Sequence, residues 1–339
     1  MIREFFRTTL AGLFMARLLT PRSAARACLY AIRRHVLRQS IPGTAIVALT
    51  FECQCRCACC SSDIFRKHYA DKPGMSREEL FVWIGKIADS GSPRIHFTGG
   101  ESLLHGGLAD AVEACSRKGL VSFVETNGIA VDEDAVLRLK RAGVGSVNVS
   151  LDSAEPAQHD ALRGAPGCHA RAIAALRLCV SNGVRCMVST YATRENVSDG
   201  GLAGVIGLAR RLGCSGIRIL APQPAGGWLK REDVILSREE LGRIEKMLPL
   251  AFPVLNRTAL IQCPLRTGYK IFVLPDGQLA PCEHLPFIFK DSKNMSLERL
   301  RERIHSCAMF AKPHPCMPRD PGFRREHLDG LTGDSPVFI

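Results

Sequence analysis

From residue 43 onward the chain alternates short apolar runs with longer amphipathic ones. The runs AIVALTF (45–51), RIHFT (94–98), VSFVE (121–125), SVNVS (146–150), VRCMVST (184–190) and GIRIL (216–220) are rich in β-branched residues and too short for helices. Between them, apolar positions recur at helical spacing over 76–90, 106–118, 132–142, 166–181 and 197–212. Gly119, Gly143, Gly183 and Gly213 fall near the ends of these segments, where a left-handed C-cap is wanted. Strands alternating with helices predict a parallel sheet with helical crossovers, as an open sheet or an incomplete barrel. In either form, ligands gather at the carboxyl ends of the strands.

After about residue 230 the alternation stops. The segment YKIFVLPDGQLAPC predicts a β-hairpin turning at Pro275-Asp276-Gly277, followed by short helices and a proline-rich tail that carries Cys307 and Cys316. Three stretches follow: an N-terminal segment (1–42), an α/β core (43–230) and a smaller C-terminal unit (231–339). No internal repeat and no low-complexity tract interrupts them.

Composition changes the picture at two places. The net charge of +12 is concentrated at the start, where residues 1–40 hold eight arginines (Arg3, Arg7, Arg17, Arg22, Arg26, Arg33, Arg34 and Arg38) against one acid, Glu4. Phe5, Phe6, Leu10, Leu13, Phe14, Leu18 and Leu19 are interleaved at roughly helical spacing. No uninterrupted stretch approaches the ~20 apolar residues that cross a bilayer, so the pattern predicts a basic amphipathic helix, lying on an anionic membrane surface or packed on the protein's own core. Nucleic acid is disfavoured, because the basic residues alternate with aliphatics rather than with stacking aromatics. The second place is the cysteine content. Fifteen cysteines among 339 residues are too dilute for a disulfide-stapled miniature domain. The apolar run TTLAGLFMA is closed by Arg17 without a small-residue cleavage site, so it does not read as an export signal. A reducing cytoplasm is expected, with peripheral contact at the inner membrane face, and clustered cysteines there read as metal ligands.

Five of them crowd ECQCRCACCSSD, directly after the first predicted strand. Cys53, Cys57 and Cys60 stand as C-x3-C-x2-C, a spacing that lets one loop wrap three thiolates around an iron–sulfur cluster and leave one iron open. Cys55 and Cys59 also permit tetrahedral zinc, so the cluster alone leaves both metals open. The next predicted strand runs into Gly99-Gly100-Glu101-Ser102, the following one into ETNG with Asn127, and the fourth into SLDS with Ser150. All four groups would line one mouth.

With these residues the chain resembles the radical S-adenosylmethionine (radical SAM) family over roughly residues 45–225. The resemblance implies a partial (β/α)6 TIM-like barrel of the α/β class with a small C-terminal α+β auxiliary-cluster domain. It implies that Cys53, Cys57 and Cys60 hold a [4Fe–4S] cluster whose open iron takes the amino and carboxylate groups of S-adenosylmethionine. Gly99, Gly100 and Glu101 would meet the methionine amino group, and Asn127, Ser150 and Arg163 would complete the cofactor-binding set. One electron would then cleave the sulfonium, giving a 5′-deoxyadenosyl radical that abstracts hydrogen. The family's usual aromatic residue before the third cysteine is replaced by Cys59; Phe51 or Tyr69 is expected to substitute, or Cys55 and Cys59 offer another C-x3-C register. A second set, CPLRTGYKIFVLPDGQLAPC, resembles the opening of a SPASM/twitch extension. It implies a second iron–sulfur cluster on Cys263, Cys282 and Cys316, with Cys307 as a further candidate ligand.

The implied function is reductive cleavage of S-adenosylmethionine, with electrons from a reductant such as a flavodoxin or ferredoxin. The basic amphipathic N-terminus favours a lipid-like substrate. The alternative within the family is maturation of a ribosomal peptide, and the alternative from another class is a zinc-binding regulatory or nucleic-acid module.

Overall fold

The computed structural model describes residue 12 and residues 16–257, 263–265, 268–293, 295–310 and 316–339. Residues 1–11 and 13–15 of the predicted N-terminal amphipathic segment therefore lie outside the described residues.

Six parallel strands form in chain order: β1 (Thr44–Thr50), β2 (Arg94–Gly99), β3 (Val121–Thr126), β4 (Ser146–Ser150), β5 (Cys186–Tyr191) and β6 (Gly216–Leu220). Helices Arg77–Asp89, Leu108–Arg117, Glu133–Ala142, Cys168–Ser181 and Gly201–Arg211 cross between them. The four glycines expected to stop these helices all have positive φ, from 68° to 81°.

Strand alternation sorts the side chains into two faces. Ile95, Phe97, Val124, Val147, Val149, Val188, Ile217 and Ile219 belong to one buried core with Trp83, Ile84, Val112, Leu139, Leu176 and Val205 of the helices. The alternate positions carry His96, Glu125, Asn148, Ser189 and Arg218, which line the hollow on the opposite face. These polar groups satisfy one another. Glu125 Oε1 accepts from Arg218, Asn148 and His96, each at 2.9 Å, and Arg218 Nε donates to Ser189 Oγ at 2.8 Å. Burial opposes the charge on Glu125, yet Arg218 and His96 bring its carboxyl down to about 2.

Beyond residue 230 strands are added at the two edges of this sheet rather than in sequence. β7 (Val254–Arg257) pairs parallel with β6. β8 (Lys270–Val273) pairs parallel with β1, in the register Thr44↔Lys270 to Val47↔Val273. The chain turns at Asp276-Gly277, and β9 (Leu279–Ala280) returns antiparallel to β8, which is the expected hairpin. The full order is β7-β6-β5-β4-β3-β2-β1-β8-β9, an open sheet of the α/β type. Helices Arg238–Met247, Leu297–Ser306 and Pro321–His327 and a separate pair of two-residue strands complete the C-terminal unit.

What this fold positions is the loop after β1. Its backbone is gripped by segments far apart in sequence: Gly100 N–H donates to Thr50 O (2.7 Å), Glu101 N–H to Glu52 O (2.7 Å), Arg56 N–H to Arg163 O (2.9 Å) and Gly227 N–H to Cys60 O (3.0 Å). These approaches leave no space for side chains. A Cβ on Gly100 would lie 2.2 Å from Glu52 O, and one on Gly227 would lie 2.3 Å from Ala58 O. Gly227→Val is therefore expected to destabilise the protein by roughly 1–3 kcal/mol through overpacking. Gly242→Val, whose Cβ would meet nothing within 4 Å, is expected to change stability by less than about 0.5 kcal/mol. Urea denaturation of the two variants checks this, and equal midpoints would show that the loop yields freely.

Candidate active site

The loop after β1 presents its five cysteines to a cavity of about 290 Å³ at the carboxyl ends of the strands. Cys53, Cys57 and Cys60 line it together with Gly99, Gly100, Asn127, Ser150 and Arg163. The structure thus brings eight of the nine core residues singled out in the sequence to one cavity wall. Glu101 is the ninth. It is fully buried behind the wall, where its carboxylate accepts from Asn127 N–H (2.7 Å) and Leu103 N–H (3.1 Å). Burial raises its carboxyl above the usual range against the pull of those two N–H groups.

The sulfurs are differentiated by what touches them. Cys53 Sγ accepts from Asn127 Nδ2 at 3.7 Å, and Cys57 Sγ from an Arg163 guanidinium nitrogen at 3.8 Å. A hydrogen bond from Cys55 lowers the Cys57 thiol to about 6, with Arg163 helping and burial opposing. The same donor lowers Cys53. Burial instead pushes Cys60 up to about 12 and raises Cys59 further. Of the five sulfurs on this loop, Cys53 and Cys57 are lowered, whereas Cys55, Cys59 and Cys60 are raised. Cys55 packs with Ala165 and Cys168, its sulfur 3.9 Å from that of Cys168.

Several wall residues were not singled out in the sequence as ligands. Asp152, in the SLDS stretch, pairs with Arg163 at 2.6 Å; it sits two residues past Ser150, so the same strand-end signal reaches it. Thr190 and Tyr191 end β5, a strand whose carboxyl end carries no glycine or acidic marker. Phe51 lines the cavity and packs on Phe65 and Tyr69, while Tyr69 stands behind it, donating to Asp276 Oδ2 at 2.9 Å. Arg163 Nε and Thr190 Oγ1 are buried without a hydrogen-bond partner. Soft sulfurs on one side and orphaned polar atoms on the other fit a metal centre bound together with a polar, hydrogen-bonding molecule.

A second cavity, of about 310 Å³, shares His96, Tyr191, Arg218, Leu220, Glu283 and His284 with the first. Cys263, Cys282 and Cys316 line it. Cys316 Sγ donates to Gln223 Oε1 at 3.4 Å, and burial pushes its thiol up to about 11. Burial raises Cys282 as well. Glu283 is held well below the usual carboxylate range, against burial, by Lys270 at 2.5 Å. Cys307 lines neither cavity; it packs, half-buried, at the end of helix Leu297–Ser306. Pro315, beside Cys316, lies outside the described residues. Among the described residues, no three Cys, His, Asp or Glu side chains converge on a point where one metal ion would sit.

The Radical SAM superfamily model matches residues 47–201. The chain is 29% identical over 325 residues to the PqqA peptide cyclase of Gluconobacter oxydans, covering 87% of this chain and 89% of that protein. It is 27% identical over 207 residues to the AdoMet-dependent heme synthase of Nitratidesulfovibrio vulgaris, covering 60% of this chain and 55% of that protein. The match thus spans about half the length of the heme synthase. Among solved structures, Streptococcus suis SuiB bound to its precursor peptide SuiA aligns with a TM-score of 0.61 at 13% identity, over 76% of this chain and 63% of that one. Native anSMEcpe with bound AdoMet aligns with a TM-score of 0.57 at 13% identity, over 82% and 91%. At such identities the structures speak for the fold, and the fold is the radical SAM barrel type expected from the sequence. The cysteine loop and most of the strand ends around the cavity fall within residues 47–201, the segment that is similar to the radical SAM superfamily of enzymes.

Proposed function

We propose that this protein is a two-cluster radical SAM enzyme that modifies a polypeptide. The observation that carries the reading is the shared wall of the two cysteine-lined cavities: a substrate group lying between them would face both. Cys53, Cys57 and Cys60 would hold the [4Fe–4S] cluster. Ser150, Asn127 and the Arg163–Asp152 pair would orient the polar groups of S-adenosylmethionine, beside the strand turn at Gly99 and Gly100. Glu101 would act through the Asn127 backbone it holds. When bound, the cluster and S-adenosylmethionine supply a radical able to abstract hydrogen, with electrons from a flavodoxin- or ferredoxin-like donor. The chain's own part is to fix geometry and exclude water. Cys263, Cys282 and Cys316 would hold the auxiliary cluster, and residues 231–339 would form its domain.

A polypeptide substrate is supported by the PqqA peptide cyclase, a relative whose match runs along 87% of this chain. The heme synthase match covers less. The test is 5′-deoxyadenosine formation with dithionite as reductant, comparing synthetic peptides encoded beside the gene with isoprenoid-containing vesicles. Peptide-dependent turnover with a mass change in the peptide is expected; turnover and product from the vesicles alone would reject the polypeptide.

A lipid-like substrate remains the second reading, favoured by one surface. No helix among the described residues is long and apolar enough to cross a membrane. Helix Pro21–Ala31 continues through a π turn over Ile32–Val36, and Leu29, Ile32, Val36 and Leu37 along it are 50–71% exposed, beside the exposed Arg22 and Arg38. This apolar, basic-rimmed face suits an anionic membrane surface. Replacing Leu29, Ile32, Val36 and Leu37 by serine is expected to weaken binding to phosphatidylserine vesicles at least ~10-fold, since each buried aliphatic side chain contributes about 1.5–3 kcal/mol. Equal co-sedimentation of the two proteins would reject the membrane contact.

The cysteine assignments are separable by iron counting. Cys53→Ala, Cys57→Ala and Cys60→Ala are each expected to abolish cleavage of S-adenosylmethionine, whereas Cys55→Ala retains it. Full activity in Cys60→Ala would overturn the register. The triple variant of Cys263, Cys282 and Cys316 to alanine is expected to keep about half the iron and to cleave S-adenosylmethionine without forming product. Unchanged iron in that variant would show structural thiols.

A further inference from the structure

The second cavity holds a side chain that the count of cysteines omits. His284 stands two residues after Cys282, and the intervening turn is closed by Leu285 N–H donating to Cys282 O at 3.2 Å. The imidazole lines the cavity with Cys263, Cys282 and Cys316. Its two nitrogens meet different surroundings. Nε2 lies 3.7 Å from Glu283 Oε1, and that carboxylate is itself anchored by Lys270 at 2.5 Å. Nδ1 is buried and has no hydrogen-bond partner.

A buried ring nitrogen without a partner is costly and uncommon, so its position asks for an occupant. The carboxylate on the Nε2 side favours the hydrogen there and leaves Nδ1 with a free lone pair. Metal-binding histidines are oriented in this way, one nitrogen on the metal and the other facing a carboxylate. The other candidates for a fourth ligand are placed less well. Cys307 does not line the cavity, and Glu283 is engaged by Lys270.

We propose that His284 Nδ1 is the fourth protein ligand of the auxiliary iron–sulfur cluster, making the site Cys263, Cys282, Cys316 and His284. This rests on the reading that those three cysteines hold a cluster, and it adds a consequence that three thiolates alone do not have. A neutral imidazole in place of a thiolate lowers the negative charge on the cluster and raises its reduction potential. His284→Cys should therefore keep the cluster and move its midpoint to a more negative value.

The test uses the full chain carrying Cys53→Ala, Cys57→Ala and Cys60→Ala, loaded anaerobically with iron and sulfide, so that only the auxiliary site is read. The two-cluster protein without S-adenosylmethionine is measured in parallel, in case the background folds poorly. Pulsed electron paramagnetic resonance of the reduced cluster is expected to show a strongly coupled nitrogen that changes with 15N-histidine labelling. The coupling should vanish in His284→Ala and in His284→Cys, while His284→Cys keeps the wild-type iron content and shows the more negative midpoint. Iron retained with no strongly coupled nitrogen, or a coupling that persists in His284→Cys, overturns the histidine ligand and leaves the auxiliary cluster standing. Iron absent from the background, and lost from the two-cluster protein only when Cys53, Cys57 or Cys60 is replaced, overturns the cluster reading and this inference together.

Discussion

The arrangement of the candidate active site depends on close backbone contact around the loop after β1. Four hydrogen bonds hold that loop to the ends of β1 and β2, to the end of helix Pro156–Arg163 and to the turn after β6. None of them uses a side chain. The cysteines are thereby left free to face the cavity, while the backbone that carries them is fixed from several directions. A metal site gains from such preorganisation, because its ligands need not be ordered again on binding. The same design makes the site a property of the whole sheet: the loop takes this shape only once β2, β4 and β6 have assembled beside it. Bulk at Gly100 or Gly227 acts on the cysteines without touching a sulfur.

The hollow beneath the loop poses a second problem, because it buries charge. Glu125, Arg218 and His96 would each be costly alone in a partly dry cavity. They are placed on β3, β6 and β2 so that one carboxylate accepts from three donors, and His96 is further stacked on Phe123 at 4.5 Å. A charge paired in this way is expensive to break, since its partner would stay buried. The network therefore keeps a polar surface rigid beside the cavities, where a substrate group needs fixed dipoles rather than mobile water.

Much of this was legible in the residue pattern. Six strands and five crossover helices announced themselves by periodicity, and the turn at Asp276-Gly277 by its residues, because such signals are local. The pairing of β8 with β1 was not legible. Nothing around Lys270–Val273 says that it will lie beside a strand more than two hundred positions earlier, and that choice is made by tertiary packing. Among the cofactor-site candidates, Gly99, Asn127 and Ser150 could be placed because each stands at a strand end, which is also where the fold gathers ligands. Asp152 was not singled out within SLDS, nor Tyr191 at the end of β5, because a strand end announces a mouth without saying which neighbouring side chains turn into it. The tail was harder still. Cys307 and Cys316 are nine residues apart in comparable surroundings, and only packing places Cys316 against Gln223 while Cys307 stays at a helix end.

The β1–β8 pairing has a further role. β1 delivers the first cysteine group directly from its carboxyl end, and β8, through the hairpin with β9, delivers Cys282 and His284. Because the two strands run parallel in one register, the separation between the two cysteine-lined cavities is set by a single strand pair. A slip of one residue would turn every β8 side chain to the other face and carry Lys270 away from Glu283. Ile271 packs in the main core, whereas Phe272 joins Phe51, Phe65 and Tyr69 in the cluster beneath the loop. That opposition of neighbouring side chains locks the register from both faces. The second cavity is thus held to the first by the interaction that completes the sheet, so the cavities share walls without needing a separate interface between two folded units.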